Sequence, residues 1–326
     1  MARKTLKKTD NVRLNMLGLP VIGTLDDFSA LTHLSKYSIF QLSKNSGKYY
    51  KVYEIPKKSG KKREIAQPSR KLKALQSWIL VHILNKLKVS PSCKGFEKGQ
   101  SILENANPHV GSNAILNIDL KDFFPSVKSN YVFNIFKSLG YDHTISTILT
   151  NICTFQGKLP QGSPCSPKLA NLACWQLDNR IQGYVGKRGI TYTRYADDLT
   201  FSGLSPNKVI KIAKTVDKII QNEGLLINTD KTHFAGTAKA KKVTGLVIND
   251  KSAGIGKKKY HELRAKFCNL AKPENQEKKD KLYHAIGWLS FLKSVDIVRY
   301  KRILHYIAAL KTKYPNTQLD MIKTDQ

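Results

Sequence analysis

The sequence predicts an α+β fold, with a small antiparallel sheet packed among helices and a helical C-terminal lobe. Three observations carry that reading. Short runs rich in aromatic and β-branched residues alternate with stretches whose apolar residues recur every three or four positions. From about Gly256 the pattern is helical to the end, as in Ile297, Tyr300, Ile303, Ile307 and Leu310. A chain of 326 residues, 41% of them in the AVILMFWYC set, can bury a core without disulfide or metal staples, as one large domain or two modest ones.

In chain order, the basic segment through about Lys8 is expected to fray. Residues 14–42 show short helical patterns, with Asp26-Asp27 as a cap before Phe28, Leu31 and Leu34. Residues 49–55 read as a strand, a turn follows at Lys57-Lys58-Ser59-Gly60, and 61–66 read as the return strand, stopped before Pro68. Together they form a hairpin studded with cations. Leu72, Leu75, Ile79, Ile83 and Leu87 predict an amphipathic helix over 70–88, and 91–111 is loop-like. Residues 114–120 read as a buried strand ending in an acid. Helices are expected over 131–139 and 144–155, an irregular connection over 159–164, and a helix over 167–183. Residues 190–195 and 199–202 form the β-rich arms of a hairpin with Asp197 and Asp198 at its tip. A helix over 207–223 ends at Gly224, and 225–228 and 243–248 are further strands.

Charge narrows the partners. The 55 Lys and Arg against 24 Asp and Glu give +31, a balance that points to a polyanion, nucleic acid first. No apolar run approaches the roughly 20 residues of a spanning helix, so no membrane partner is expected. No apolar segment follows the basic start, so no secretory signal is expected either. Five cysteines (Cys93, Cys153, Cys165, Cys174, Cys268) are odd in number and lack a C-x-x-C pair, which argues for a reducing cytoplasm and against a disulfide framework or zinc site.

The position of the few acids says more. Adjacent Asp197 and Asp198 between Tyr195 and Leu199 cannot both be buried unpaired. Two readings are open: an ordinary hairpin turn, or, with Asp119 at another strand end, an all-oxygen site for two Mg²⁺ ions. Such a pair of ions stabilises both the attacking and leaving oxygens of a phosphoryl displacement.

The motifs favour the second reading. Tyr195-Ala196-Asp197-Asp198 resembles the Y-x-D-D box of reverse transcriptases, and the run from Asn117 to Ser126 resembles their first palm motif. Leu159-Pro160-Gln161-Gly162-Ser163-Pro164-Cys165-Ser166-Pro167 resembles the motif that follows it, departing from the commoner form at Ser163 and Cys165. Asn105-Ala106-Asn107-Pro108-His109 and Val243-Thr244-Gly245 resemble the N-A-x-x-H and V-T-G signatures of bacterial retron reverse transcriptases. The resemblance runs from about Leu14 to the last helix and implies a right-hand polymerase fold. The N-terminal segment and fingers would span 1–110, and the palm 111–250 with inserted fingers at about 128–168. A basic helical thumb would span 251–326.

The resemblance also implies roles. Asp119, Asp197 and Asp198 would be the catalytic, metal-binding triad. Phe124, five residues after Asp119, would be a steric gate against ribonucleotides, although core packing would equally explain it. Gln161 and Gly162 would line the incoming nucleotide. Arg63 would clamp its triphosphate, with Lys57 a second choice; Arg70 is either a structural pair or a template contact. Lys231 sits where relatives carry a lysine proposed to protonate pyrophosphate, and is otherwise a plain surface lysine. Asn105, His109, Val243, Thr244 and Gly245 would contact the cognate RNA. Residues 239–326 hold 20 Lys and Arg against 8 Asp and Glu, which suits a grip on duplex phosphates.

The implied activity is RNA-directed DNA synthesis on part of a cognate structured noncoding RNA. It would start from a guanosine 2′-OH, consume dNTPs and leave a branched RNA–DNA (msDNA). The implied setting is anti-phage defence with a separate effector protein, and template removal would fall to host ribonuclease H. The alternatives are a group II intron-like reverse transcriptase and an RNA-binding scaffold that restrains an effector.

Overall fold

In the computed structural model, residues 8–56, 60, 62–272 and 279–323 are described. The basic start through Lys7 and most of the first hairpin's turn, Lys57 included, lie outside the described residues.

Three short helices come first: α1 (Asn11–Met16), α2 (Leu25–Thr32) and α3 (Lys36–Lys44). The cap of α2 is Thr24 rather than the expected Asp26-Asp27, and Asp27 completes a reciprocal box with it. Thr24 Oγ1 accepts from the Asp27 N–H, and the Asp27 carboxylate accepts from the Thr24 N–H. Phe28 is buried beneath, whereas Leu31 is exposed, contrary to its place in the predicted apolar stripe. Next, β1 (Tyr50–Pro56) pairs antiparallel with β2 (Lys62–Pro68), Tyr50 opposite Pro68.

The helix predicted over 70–88 is α4 (Arg70–His82) followed by a 3-10 turn, Leu84–Lys86. Ile83 and Leu84 stay buried through the change. The predicted loop over 91–111 contains α5 (Ile102–Ala106), capped by Ser101, and a 3-10 turn at Asn107–His109.

The central strand β3 (Ala114–Leu120) falls where expected. After α6 (Phe123–Ser126), α7 (Ser129–Leu139) and α8 (His143–Cys153), the helix predicted over 167–183 is two, α9 (Ser166–Ala173) and α10 (Trp175–Gly186), broken at Cys174. The catalytic-looking hairpin is β4 (Thr191–Tyr195) and β5 (Asp198–Gly203). The next predicted helix is likewise split at Ile212, into α11 (Pro206–Lys211) and α12 (Ala213–Asn222). Cys174 and Ile212 are both buried, so each break keeps an apolar side chain in the core.

Two strand readings are corrected. The strand placed at 225–228 is β6 (Ile227–Ala235), longer than expected because Asp230, Lys231 and His233 hide it behind polarity. The single strand placed at 243–248 is a hairpin, β7 (Lys241–Val243) and β8 (Leu246–Ile248), with β9 (Ala253–Gly254) added at its side. Thr244 and Gly245 both have positive φ, 45° and 85°, the two-residue pattern whose twist matches antiparallel strands.

The main sheet runs β4-β5-β3-β6, all antiparallel. Its helical cover shares one apolar core that reaches from Leu14 to Leu225. A second core joins Val243, Leu246 and Ile248 to three long helices, α13 (Gly256–Leu270), α14 (Lys279–Val295) and α15 (Ile297–Lys313). Ala106 and Ile115 are its footing on the rest of the chain. No helix among the described residues is long and apolar enough to cross a membrane.

Candidate active site

Strand register brings the acids together. Asp119, near the end of β3, lies directly opposite Asp198, the first residue of β5. Ala196 and Asp197 make the two-residue connection between Tyr195 and Asp198, with Ala196 left-handed at φ 57°. The Leu120 N–H donates to the Asp197 carbonyl at 2.9 Å, so the turn is tied to the strand that carries Asp119.

Strand β6 adds a cation and an amide. Asn117 pairs with His233 and Asp119 with Asn228, so β6 spends extra residues opposite one step of β3. That bulge re-aims side chains. Lys231, inside it, reaches Asp119 Oδ1 at 2.8 Å, while Asn228 Nδ2 donates to Oδ2 at 3.0 Å. The hydrogen bond to Asp119 raises the Lys231 ammonium above its ordinary value.

Burial, then the neighbouring negative charges, pushes Asp198 up to about 6. Asp197 is raised mainly by burial, against the pull of Lys231 and Arg63. Crowded carboxylates of this kind are the oxygen donor set that a hard divalent cation neutralises. The chemistry of the donors therefore fits a metal. Among the described residues they do not yet converge as a closed cage, and Asp119 is engaged by Lys231 and Asn228.

The expected nucleotide-facing residues cluster on the same side. The Ala66 N–H of β2 donates to the Gln161 carbonyl at 2.8 Å. Gly162 has φ 131°, and a Cβ there would lie 2.6 Å from the Ala66 carbonyl oxygen, so only glycine allows the loop to dock on the hairpin. Arg63 is three residues along the same strand, exposed, with no carboxylate partner among the described residues; its charge is felt at Asp197. Phe124, half-buried in α6, packs 5.5 Å from the Phe123 ring and 6.1 Å from Phe96, which stands 6.3 Å from Tyr195.

A cavity of about 660 Å³ adjoins the acids, lined among others by Asn117, Asp119, Asp198, Lys231, Thr244 and Gly245. The two short signatures meet at its edge. Asn105 Nδ2 donates to Thr244 Oγ1 at 3.4 Å, and that hydroxyl donates to the Ile102 carbonyl at 3.3 Å. His109, fully buried, bonds Thr193 of β4 through Nε2 (2.8 Å) and Ser202 of β5 through Nδ1 (2.7 Å). Asn105 and Val243 are buried too, so of the five residues read as RNA contacts only Thr244 and Gly245 open on the cavity.

Several residues at the site stand outside the sequence motifs. Asn228 binds Asp119 directly. Arg194, Asp178, Asn171 and Gly95 surround the Ala196 turn, and Lys168 pairs with Glu97 at 2.6 Å beside them. The available clue was Arg194 itself, a charge at an inward position of a β-rich arm.

Residues 55–248 match the family model for reverse transcriptase (RNA-dependent DNA polymerase). The chain is similar to the retron Ec86 reverse transcriptase of Escherichia coli, with 49% identity covering 98% of this chain and 100% of that one. It is also similar to the retron Mx65 reverse transcriptase of Myxococcus xanthus, with 34% identity over 90% of this chain and 73% of that one. Among solved structures, a foamy viral protease–reverse transcriptase in complex with double-stranded DNA aligns at a TM-score of 0.42 and 20% identity, covering 74% of this chain and 36% of that one.

Proposed function

This chain belongs to the retron reverse transcriptases, RNA-directed DNA polymerases of right-hand fold, and on that premise we propose how its residues divide the work. One arrangement, made of three contacts, carries the assignment. Asp119 and Asp198 are register partners, the Asp197 turn is hydrogen-bonded to the Asp119 strand, and the Arg63 hairpin docks on the Gln161–Gly162 loop beside them.

Asp119, Asp197 and Asp198 would hold two Mg²⁺ ions. Such ions would supply Lewis acidity to the attacking hydroxyl and positive charge to the triphosphate. The protein's own side chains position the reactants. Arg63 offers a planar fork that matches phosphate oxygens. Gln161 and Gly162 form the floor under the incoming dNTP, Gly162 because nothing larger fits against Ala66. The Phe124 ring, braced by Phe123 and Phe96, fills the space a ribose 2′-OH would need. Lys231 pairs with Asp119 until substrate arrives, and is then free to meet the pyrophosphate.

Thr244 and Gly245 would touch the cognate RNA at the cavity edge, with Asn105, His109 and Val243 holding that turn. The fingers (1–110), palm (111–250, with inserted fingers at about 128–168) and basic thumb (251–326) would close around a template drawn from the chain's own noncoding RNA. The product is a branched RNA–DNA that stays bound, in the cytoplasm, with a separate effector protein in phage defence and template removal by host ribonuclease H.

The test is Asp197→Asn combined with Asp198→Asn. DNA synthesis on a simple template–primer should fall at least about 1,000-fold, a few kcal/mol of transition-state stabilisation, while RNA co-purification persists. Synthesis near the parent rate would sink the assignment.

A further inference from the structure

Arg194 is a charged side chain with no exposed surface, two residues before the turn that carries the catalytic acids. Strand alternation sets Tyr192, Arg194 and Ala196 on one face, towards α10, and Thr193 on the other, towards His109. On the α10 face, Arg194 Nε and Nη2 donate to Asp178 Oδ1 and Oδ2, each at 2.8 Å, in a bidentate fork. Nη1 donates to Asn171 Oδ1 and to the Ala196 carbonyl, both at 3.2 Å. Tyr192 Oη donates to the same Asp178 carboxylate at 2.8 Å.

The turn is also held from outside. Residues 92–95 run alongside β4: the Arg194 N–H donates to the Ser92 carbonyl and the Lys94 N–H to the Arg194 carbonyl, both at 2.8 Å. A Cβ on Gly95 would lie 2.7 Å from the Ala196 nitrogen. Asn171 joins the two sides, because its Nδ2 donates to the Gly95 carbonyl at 2.8 Å while its Oδ1 receives Arg194.

A buried ion pair is a poor device for stability, since the desolvation of both charges offsets most of their attraction. It is a good device for geometry, because a planar fork fixes direction as well as distance. Here the one guanidinium arm not spent on Asp178 ends on the carbonyl of Ala196, a residue in the left-handed conformation that a Cβ disfavours.

We propose that Arg194, clamped by Asp178 and Asn171, is a positioning residue for polymerisation: it holds the Ala196 carbonyl and so fixes where Asp197 presents its carboxylate to Asp119. This rests on the assignment of Asp119, Asp197 and Asp198 as the metal-binding acids.

The experiment titrates dNTP and Mg²⁺ with the full chain on a homopolymer RNA template and DNA primer, using Arg194→Lys. Lysine keeps the charge but loses the fork. The expected result is kcat down at least tenfold, in line with the roughly 100-fold that about 1 Å of misplacement costs. KM for dNTP should stay within about threefold, and the half-saturating Mg²⁺ concentration should rise severalfold. Gly95→Ala is the second variant. It leaves the ion pair intact and presses on Ala196 from the other side, so it should give the same signature even where Arg194→Lys does not fold. A folded variant of either kind that keeps the parent's kcat and Mg²⁺ half-saturation overturns the proposal, as does a loss confined to thermal stability. Asp197→Asn run in parallel separates the two levels: if it stays active the acid assignment has failed, and if it is dead beside a fully active Arg194→Lys only the positioning role has.

Discussion

Two antiparallel hairpins of the molecule border the candidate site and are built in opposite ways. The β4–β5 hairpin is buried along both arms, with Tyr192, Thr193, Arg194, Leu199 and Phe201 all inside. It is gripped by β3, by residues 92–95, by Arg194 on one face and by His109 on the other. The β1–β2 hairpin leaves Val52, Tyr53, Ile55 and Arg63 exposed, and is anchored near its base by the Ala66–Gln161 bond and by Tyr50, which packs 4.7 Å from Phe155. The difference follows from the charges each must present. Acids that would share metal ions need fixed separations, and their hairpin leaves no buried side-chain polar atom without a partner among the described residues. A cation that is to capture a triphosphate from solution, the role proposed for Arg63, would need reach, and an exposed ribbon supplies it.

Stability should divide the same way. Phe201 has no exposed surface and stacks on Tyr192 with centroids 5.0 Å apart. Phe201→Ala should cost about 3–5 kcal/mol in urea unfolding, whereas Val52→Ala on the exposed ribbon should stay within about 0.5 kcal/mol. Equal costs at the two positions would break the comparison.

The second effect is on pH. Burial between Thr193 and Ser202 depresses His109 to about 4, against an ordinary value of 6.5. Above pH 6.5 the ring is neutral in native and unfolded chains alike and its hydrogen bonds contribute in full. As pH falls from 6.5 towards 4 the unfolded chain takes up a proton that the native ring refuses, and stability drops by up to about 1.4 kcal/mol per pH unit. Unfolding of the parent and of His109→Asn at pH 7.5 and pH 5 should therefore show the parent's advantage shrinking by about 2 kcal/mol. An advantage that is constant with pH would mean that the ring titrates freely beneath the hairpin.

The same contrast explains what could be read from the sequence. Asp119, Asp197 and Asp198 were legible because each ends a short apolar β-rich run, and 114–120 was placed to the residue. Gln161 and Gly162 were legible within a local motif. Arg194 was not, because its partners lie elsewhere in the chain: Asp178 is on the preceding helix, and Ser92 and Lys94 belong to the stretch read as a loop. Strand β6 was cut short because a bulged edge strand needs no apolar alternation at Asp230, Lys231 and His233. The 243–248 hairpin was missed because Thr244 takes a left-handed turn position usually given to Asn or Gly, and is held there by bonds to Ile102 and Asn105. In each case the missing information was a long-range contact. The exposed hairpin needed none, and its cations were plain in the composition.

Arg63 tests that last point with the smallest effect. It stands exposed on β2 opposite Ile55, has no carboxylate partner among the described residues, and contributes no buried area to the core. Arg63→Ala should leave the urea midpoint unchanged and raise KM for dNTP about tenfold, equivalent to about 1.4 kcal/mol of binding. Arg63→Lys should recover only part of it, because an ammonium cannot bind two phosphate oxygens in one plane. The loss should also shrink as salt is raised, since an exposed charge is the kind that salt screens. A KM unchanged in Arg63→Ala would remove the exposed hairpin from nucleotide capture. A loss of several kcal/mol of unfolding free energy would make that hairpin structural, and burial would then no longer distinguish the hairpin proposed to fix the acids from the one proposed to gather the substrate.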